Sequence, residues 1–375
     1  MNENSFFFSD IYKEATDVIK NIMDEATQKH LDIFGKVWFK DHFTLSRYPR
    51  TESEFTAILE EVHAAPAAST INEFSERPIR SLDGFGKVKA QMLSVGHTYK
   101  LEAEDLRAIR DMQRRYAGIK NHEELVRFIV DKLMNVRTKA IQGVLNRQDL
   151  LILSMLSNDG KYTFTAENDP GSPFVGQTLD FGFDASHAAT VTTPWTDANI
   201  DTVDVLEDIM GTVSPATIKP TEMYMERERI FYMLRTKKLK LYVNGNDRAS
   251  QPISLEDMNN LFARFDLPTI KLIQREVRVD SDGGKTTKMI NPWKKGKILF
   301  TVGSQFGTIE RKITDAEDGL ASPGIGYSYY DGIEVMNWTQ GVKEGSNYTE
   351  YVSAGLTSTP VVDGIRNMYT LDTKA

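Results

Sequence analysis

Six histidines (His30, His42, His63, His97, His122 and His187) are the first residues to test for chemistry, and no two stand at i, i+4 as a helical metal pair would. Cysteine is absent, which removes disulfides, thiolate metal sites and a cysteine nucleophile. Gly284-Lys285-Thr286 has the ending of a phosphate-binding loop, but the motif needs a glycine where this chain has Val279, and a following helix. In Gly303-Ser304-Gln305-Phe306-Gly307 the serine stands one position early for a nucleophile elbow. Gly84-Phe85-Gly86 and Gly324-Ile325-Gly326 both lack the third glycine of a dinucleotide fingerprint. Asn337-Trp338-Thr339 and Asn347-Tyr348-Thr349 match glycosylation sequons, but residues 1–10 lack the basic region of a secretory signal, so the matches are read as coincidence.

Acidic residues are the remaining candidates. Asp201, Asp204 and Asp208 are expected on one face of a helix over 197–210, where early acidic residues serve the macrodipole. Asp180, Asp197 and Asp201 are an example of an acidic site that a hydrolase could use. No catalytic, cofactor-binding or metal residue is assigned, and no cofactor is expected.

The element that must position everything else is a helix expected over 121–157. Asn121 and Glu124 can form a capping box. Leu125, Phe128, Ile129, Leu133, Val136, Ala140, Val144, Leu151 and Met155 then step by threes and fours as one buried stripe. Glu123, Arg127, Asp131, Lys132, Arg137, Lys139 and Arg147 are expected on the solvent side, and Asp159-Gly160 supplies the stop. Such a rod runs about 55 Å and spans a domain.

The 375 residues allow two or three domains. No apolar run approaches the ~20 residues of a membrane span. A net charge of −8 argues against tight binding of bare nucleic acid over the whole surface. Charge is banded: ten acidic residues against Lys161 over 159–208, and ten basic against four acidic over 271–312. Opposed bands suit a subunit packed head-to-tail against its own copies.

The spacing predicts helices over 10–33, 52–61, 102–116, 221–234 and 255–265. It predicts strands over 161–165, 178–183, 188–192, 269–279, 288–291, 297–302, 332–338, 348–354 and 366–371. Asp83-Gly84-Phe85-Gly86 is turn chemistry between Ile79-Arg80-Ser81-Leu82 and the alternating 87–92 strand. This hairpin carries few large apolar residues and needs a partner surface, which is expected to be another subunit.

The order of these parts resembles the major capsid protein of tailed bacteriophages, of the lambda type (the major capsid protein E family). The resemblance is carried by Ala67-Ala68-Ser69-Thr70 leading into the hairpin, and by Asn158-Asp159-Gly160-Lys161-Tyr162 after the long helix. Leu179-Asp180-Phe181-Gly182, Trp195-Thr196-Asp197 and Pro360-Val361-Val362 complete it. It implies an α+β chain of the Hong Kong 97 type. The parts are an N-arm (1–30), an E-loop (65–100), a P-domain (101–195) with a spine helix, an A-domain (196–315) and a return to the P-domain (316–375). The function implied is a non-enzymatic shell subunit that forms hexamers and pentamers around double-stranded DNA in a virion, assembled in the host cytoplasm. A separate scaffolding protein, a portal and a decoration protein are the implied partners. Arg77, Arg80, Lys87 and Lys89 of the hairpin, with Glu123, Arg127 and Asp131 of the helix, become the subunit-contact residues. The alternatives are a nanocompartment shell of the same fold, a hydrolase at the acidic site, and a monomeric adaptor.

Overall fold

The computed structural model describes residues 37–59, 86–102, 104, 107, 122–246, 251–281, 286–340 and 349–374. For 58–59, 86–90, 101–102, 122–135, 281 and 286 it describes the backbone alone. The helices expected over 10–33 and, apart from Glu102 (the end of a strand), Glu104 and Arg107, over 102–116 lie outside these residues, as does the proposed cap Asn121.

The long helix is present as α1, His122–Ser157, 36 residues and about 54 Å. Its end follows from local chemistry. Asp159 and Gly160 both adopt positive φ (53° and 71°), and the Gly160 N–H bonds back to Met155 O at 3.0 Å, closing the last turn. A Cβ on Gly160 would stand 2.5 Å from Phe183 Cβ, so the position excludes any other residue without rearrangement.

From Ala140 onward α1 is buried on nearly all sides. Val144, Leu151 and Met155 of the expected stripe are joined by Ile141, Leu145, Leu150, Ile152, Leu153 and Leu156. Two of the residues expected in solvent are not there. Arg137 is buried and donates to Ser328 Oγ at 3.1 Å. Arg147 is half-buried and clamps Asn168 O and Asp169 Oδ1 at 2.5 and 2.9 Å. A helix this deeply embedded turns every face toward some partner, so periodicity alone misplaces its charges.

Two sheets flank α1. The first holds β1 (Phe43–Leu45), β4 (Leu93–Glu102), β13 (Gly307–Arg311), β14 (Gly326–Tyr330), β15 (Ile333–Gln340) and β16 (Thr349–Val362), with the 14-residue β16 as hub. β4 runs antiparallel to β16 from Leu93↔Ser358 to Glu102↔Thr349. The second holds β7 (Ala188–Thr190), β8 (Glu222–Glu226), β9 (Thr269–Ile273), β12 (Lys297–Thr301) and β17 (Tyr369–Asp372), in the order β7-β17-β12-β8-β9. Helices α2 (Val205–Val213), α3 (Arg227–Arg235), α4 (Lys237–Asn244) and α5 (Leu255–Arg264) contribute to its core with Met223, Met225, Ile298 and Phe300. Tyr224 and Leu299 of the same two strands, with Ile273 of β9, whose Ile270 lies in the second core, join the α1 core instead. Period-two alternation thus welds the two cores through one sheet. After β12 the chain returns to the first sheet at β13 and stays in it through β14–β16, and its last strand, β17, crosses to the second.

Three short ribbons remain: β2 (Glu54–Leu59) with β3 (Gly86–Gln91), β5 (Lys161–Thr163) with β6 (Thr178–Asp180), and β10 (Val277–Ser281) with β11 (Thr286–Ile290). The last packs Val277, Val279 and Ile290 on Leu150 of α1. Two expected helices are corrected. Residues 54–59 form a strand, paired with 86–91 in the register Glu54↔Gln91 to Leu59↔Gly86. Residues 222–226 form a central strand between β12 and β9, and the helix begins only at Arg227. Residues 79–82, the expected partner of 87–92, lie outside the described residues. The helix expected from 197 is a 3-10 turn at Asp197–Asn199 followed by α2.

Candidate functional site

The acidic residues of 180–208 are engaged separately. Asp180 Oδ1 accepts the Gly182 N–H at 2.9 Å, forming a turn, and its other oxygen is 3.9 Å from Lys161. Asp197 pairs with Arg235 at 2.6 Å on the open surface. Asp201 is exposed. Asp204 caps α2 through the Glu207 N–H and takes the Tyr242 hydroxyl at 3.0 Å, with Lys238 at 3.5 Å. Asp208 accepts the indole N–H of the buried Trp195 at 2.8 Å. Burial raises its pKa, and the indole bond works against that rise. The Trp195 carbonyl in turn accepts from Arg229 at 2.8 Å, and Tyr232 OH reaches Thr196 O. The Trp195-Thr196-Asp197 motif therefore anchors α2 and α3 to each other. Among the described residues no three His, Asp or Glu side chains come together to hold a metal ion.

The serine of the elbow-like segment does meet a histidine, which the spacing did not show. His42 Nδ1 donates to Ser304 O at 2.6 Å, so the contact is to the backbone carbonyl and leaves Ser304 Oγ unactivated. The His42 ring stacks on Trp38 (4.0 Å) and on Phe306 (5.1 Å), which also touch each other at 5.7 Å, with Tyr224 edge-on at 5.6 Å. Its role is to fill the seam where the chain crosses from β12 to β13. In the Gly284-Lys285-Thr286 segment, Thr286 opens β11 of a hairpin, and no helix follows.

A deeper polar centre is Asp149, which sequence reading passed over. Its carboxylate is fully buried in the last third of α1. It accepts the backbone N–H groups of Trp38 and Phe39 at 3.0 and 2.9 Å and Arg275 Nε at 2.8 Å. Arg275 also reaches Asn146 Oδ1 at 2.6 Å. Burial raises the Asp149 pKa, opposed by the Phe39 N–H, Arg275 and the Trp38 N–H. One carboxylate therefore ties the N-terminal segment, α1 and the β9–β10 connection together. Asp149 followed by Leu150, Leu151 and Ile152 is a charge set in an apolar run, and that was the available signal.

The expected contact residues divide as follows. Arg77 and Arg80 lie outside the described residues. Lys87 and Lys89 sit on β3 in register with Ile58 and Thr56. Glu123, Arg127 and Asp131 are spaced one turn apart along the start of α1. The charge bands partly neutralise each other within the chain: Lys297 pairs with Asp159 at 3.0 Å and Lys288 with Glu167 at 3.3 Å.

These features define an α+β protein built on one long helix between two sheets. Its polar clusters act as caps, tethers and seam fillers. No family model and no curated protein sequence matches the chain. Among solved structures it is similar to a phage-related protein from Bordetella bronchiseptica RB50, at 12 % identity, 93 % of this chain, 96 % of that one and a TM-score of 0.43. It is similar to a chain of the satellite phage P4 procapsid at 11 % identity, 95 % and 98 % coverage and a TM-score of 0.42. It is also similar to a chain of the capsid of the Myoviridae phage XM1, at 10 % identity, 89 % and 90 % coverage and a TM-score of 0.40.

Proposed function

We propose that the chain is a structural subunit that self-assembles into the icosahedral head shell of a tailed phage around double-stranded DNA. The observation that carries this reading is the β2–β3 ribbon. Among the described residues its two strands pair only with each other. A two-stranded ribbon is marginal in water and needs a surface to lie on. Its root is nevertheless fixed, because β3 continues through Met92 alone into β4, which is bonded to β16 over ten residue pairs. An arm anchored at its base, with no third strand paired to it among the described residues, fits a heterologous contact with another copy, the kind that builds closed rings and shells.

In this reading 1–30 is the N-arm, 65–100 the E-loop, 101–195 and 316–375 the P-domain and 196–315 the A-domain. The copies associate as hexamers and pentamers. Arg77, Arg80, Lys87 and Lys89 meet Glu123, Arg127 and Asp131 of a neighbour. A separate scaffolding protein, a portal and a decoration protein are its partners in the host cytoplasm. DNA is confined without a sequence-specific site, so a net charge of −8 is compatible with the role.

Deleting 82–89 tests the reading. The variant should keep its far-ultraviolet dichroism and cooperative unfolding but lose every species larger than a monomer. An unchanged oligomeric state would overturn it. Nucleic acid inside the wild-type particles supports the phage head, whereas a folded protein cargo supports the nanocompartment alternative.

A further inference from the structure

We propose that His97 is an acid-sensitive latch that holds the root of the β2–β3 ribbon against α1. His97 sits on β4 opposite Ala354 of β16. Its ring lies against Gly143 of α1 so closely that a Cβ there would be 3.0 Å from His97 Nδ1 and 3.2 Å from Cγ. Glycine at 143 is therefore what lets strand and helix close on the imidazole. The other side of the ring stacks on Tyr99 at 4.7 Å.

Around this contact it is burial, not the neighbouring charges, that disfavours a positive imidazole. On α1, Lys139 and Arg147 stand one turn before and one turn after Gly143, and Arg147 is already committed to Asp169. On β10, Asp280 is the acidic neighbour, and it is committed to Arg278 at 2.8 Å. The β16 partner, Ala354, carries no charge. Burial lowers the His97 pKa, Asp280 works against that and Arg147 adds to it. A histidine held below its ordinary 6.5 contributes stability that is present above that value and lost as pH falls through the lowered one.

The consequence is mechanical. An imidazolium is less well hydrated in the half-buried contact with Gly143 than in open water, so acidification weakens the packing of β4 on the helix. Only Met92 separates β4 from β3, so the ribbon loosens at its base. Nothing in this step depends on the shell reading, because it occurs within one chain.

Hydrogen exchange of the full-length protein tests it, with labelling times corrected for intrinsic rates, at about pH 7.5 and about pH 5 on either side of the histidine range. The peptide spanning 93–102 should lose protection several-fold in acid in the wild type and keep it in H97F and H97Q. An equal acid response in all three proteins, or none in the wild type, overturns the proposal. If the variants do not fold, the wild-type imidazole resonance of His97 and the amides of 93–102 should titrate together. Different midpoints overturn it.

Discussion

Lys297 Nζ lies 3.0 Å from Asp159 Oδ2, joining the residue that ends α1 to the middle strand of the second sheet. Thr370 Oγ1 donates to the same carboxylate at 2.6 Å, and Asp372 is 3.7 Å from the amine. The lysine is nearly inaccessible, while both carboxylates keep about a third of their surface in water (31 % and 30 %). The two cores are thus held in register by one buried cation.

Replacing Lys297 by alanine should destabilise the protein by on the order of 1–3 kcal/mol, less than a fully buried pair because the freed carboxylates can rehydrate. K297M, which keeps the packing, should cost less. The denaturant midpoint of each variant, at unchanged slope, is the measurement. Equal losses in both would show that the charge, not the packing, carries the contact.

Asp149 should behave differently, because its carboxylate is fully buried. D149A leaves two buried N–H groups and Arg275 without their acceptor and should cost about 3–5 kcal/mol. Its pKa is raised by burial, so the folded state binds the proton more readily than the unfolded chain. That contribution is full below the ordinary carboxylate value of 3.8 and is lost as pH rises through the raised one. Unfolding free energy followed upward from pH 3.8 should therefore show a downward component that D149N removes. A wild-type profile identical in slope to that of D149N would contradict this.

Gly160 is a test of the helix stop. With φ at +71° and Phe183 Cβ 2.5 Å from where a Cβ would go, G160A should cost upward of about 2 kcal/mol through combined backbone strain and overlap. Thermal unfolding of G160A beside a control G171A, whose added Cβ meets nothing within 4 Å, separates the overlap from the conformational term.

Asp197 is the residue on which a hydrolytic reading would depend most. Its pair with Arg235 is largely in solvent, and D197N should change stability by less than about 0.5 kcal/mol. In the structural reading D197N also leaves particle yield unchanged. Loss of a measurable hydrolytic activity in D197N, with particles absent in both proteins, would favour the enzyme instead.

The long helix was legible because a 36-residue element repeats its signal many times and ends on residues suited to positive φ. Its depth was not. Arg137 and Arg147 looked like solvent residues until the 326–330 strand and the 164–177 loop were folded against them. Residues 54–59 and 222–226 were misread for a related reason. Glu, Leu, Met and Ala favour helix locally, while pairing with residues 27 or more positions away along the chain decides the outcome. The acidic cluster was visible as composition, but the separate partners of Asp197, Asp204 and Asp208 come from α3, α4 and the 195 loop. Asp149 showed only as a charge set in an apolar run and His97 not at all, since each gains its meaning from neighbours more than 35 residues away.

The most direct test of the shell reading is the size of the purified protein, by light scattering with negative-stain microscopy. Closed particles, or discrete pentamers and hexamers, are the expected result. A monomer at every concentration, with no assembly even beside a co-expressed scaffolding protein, would contradict it.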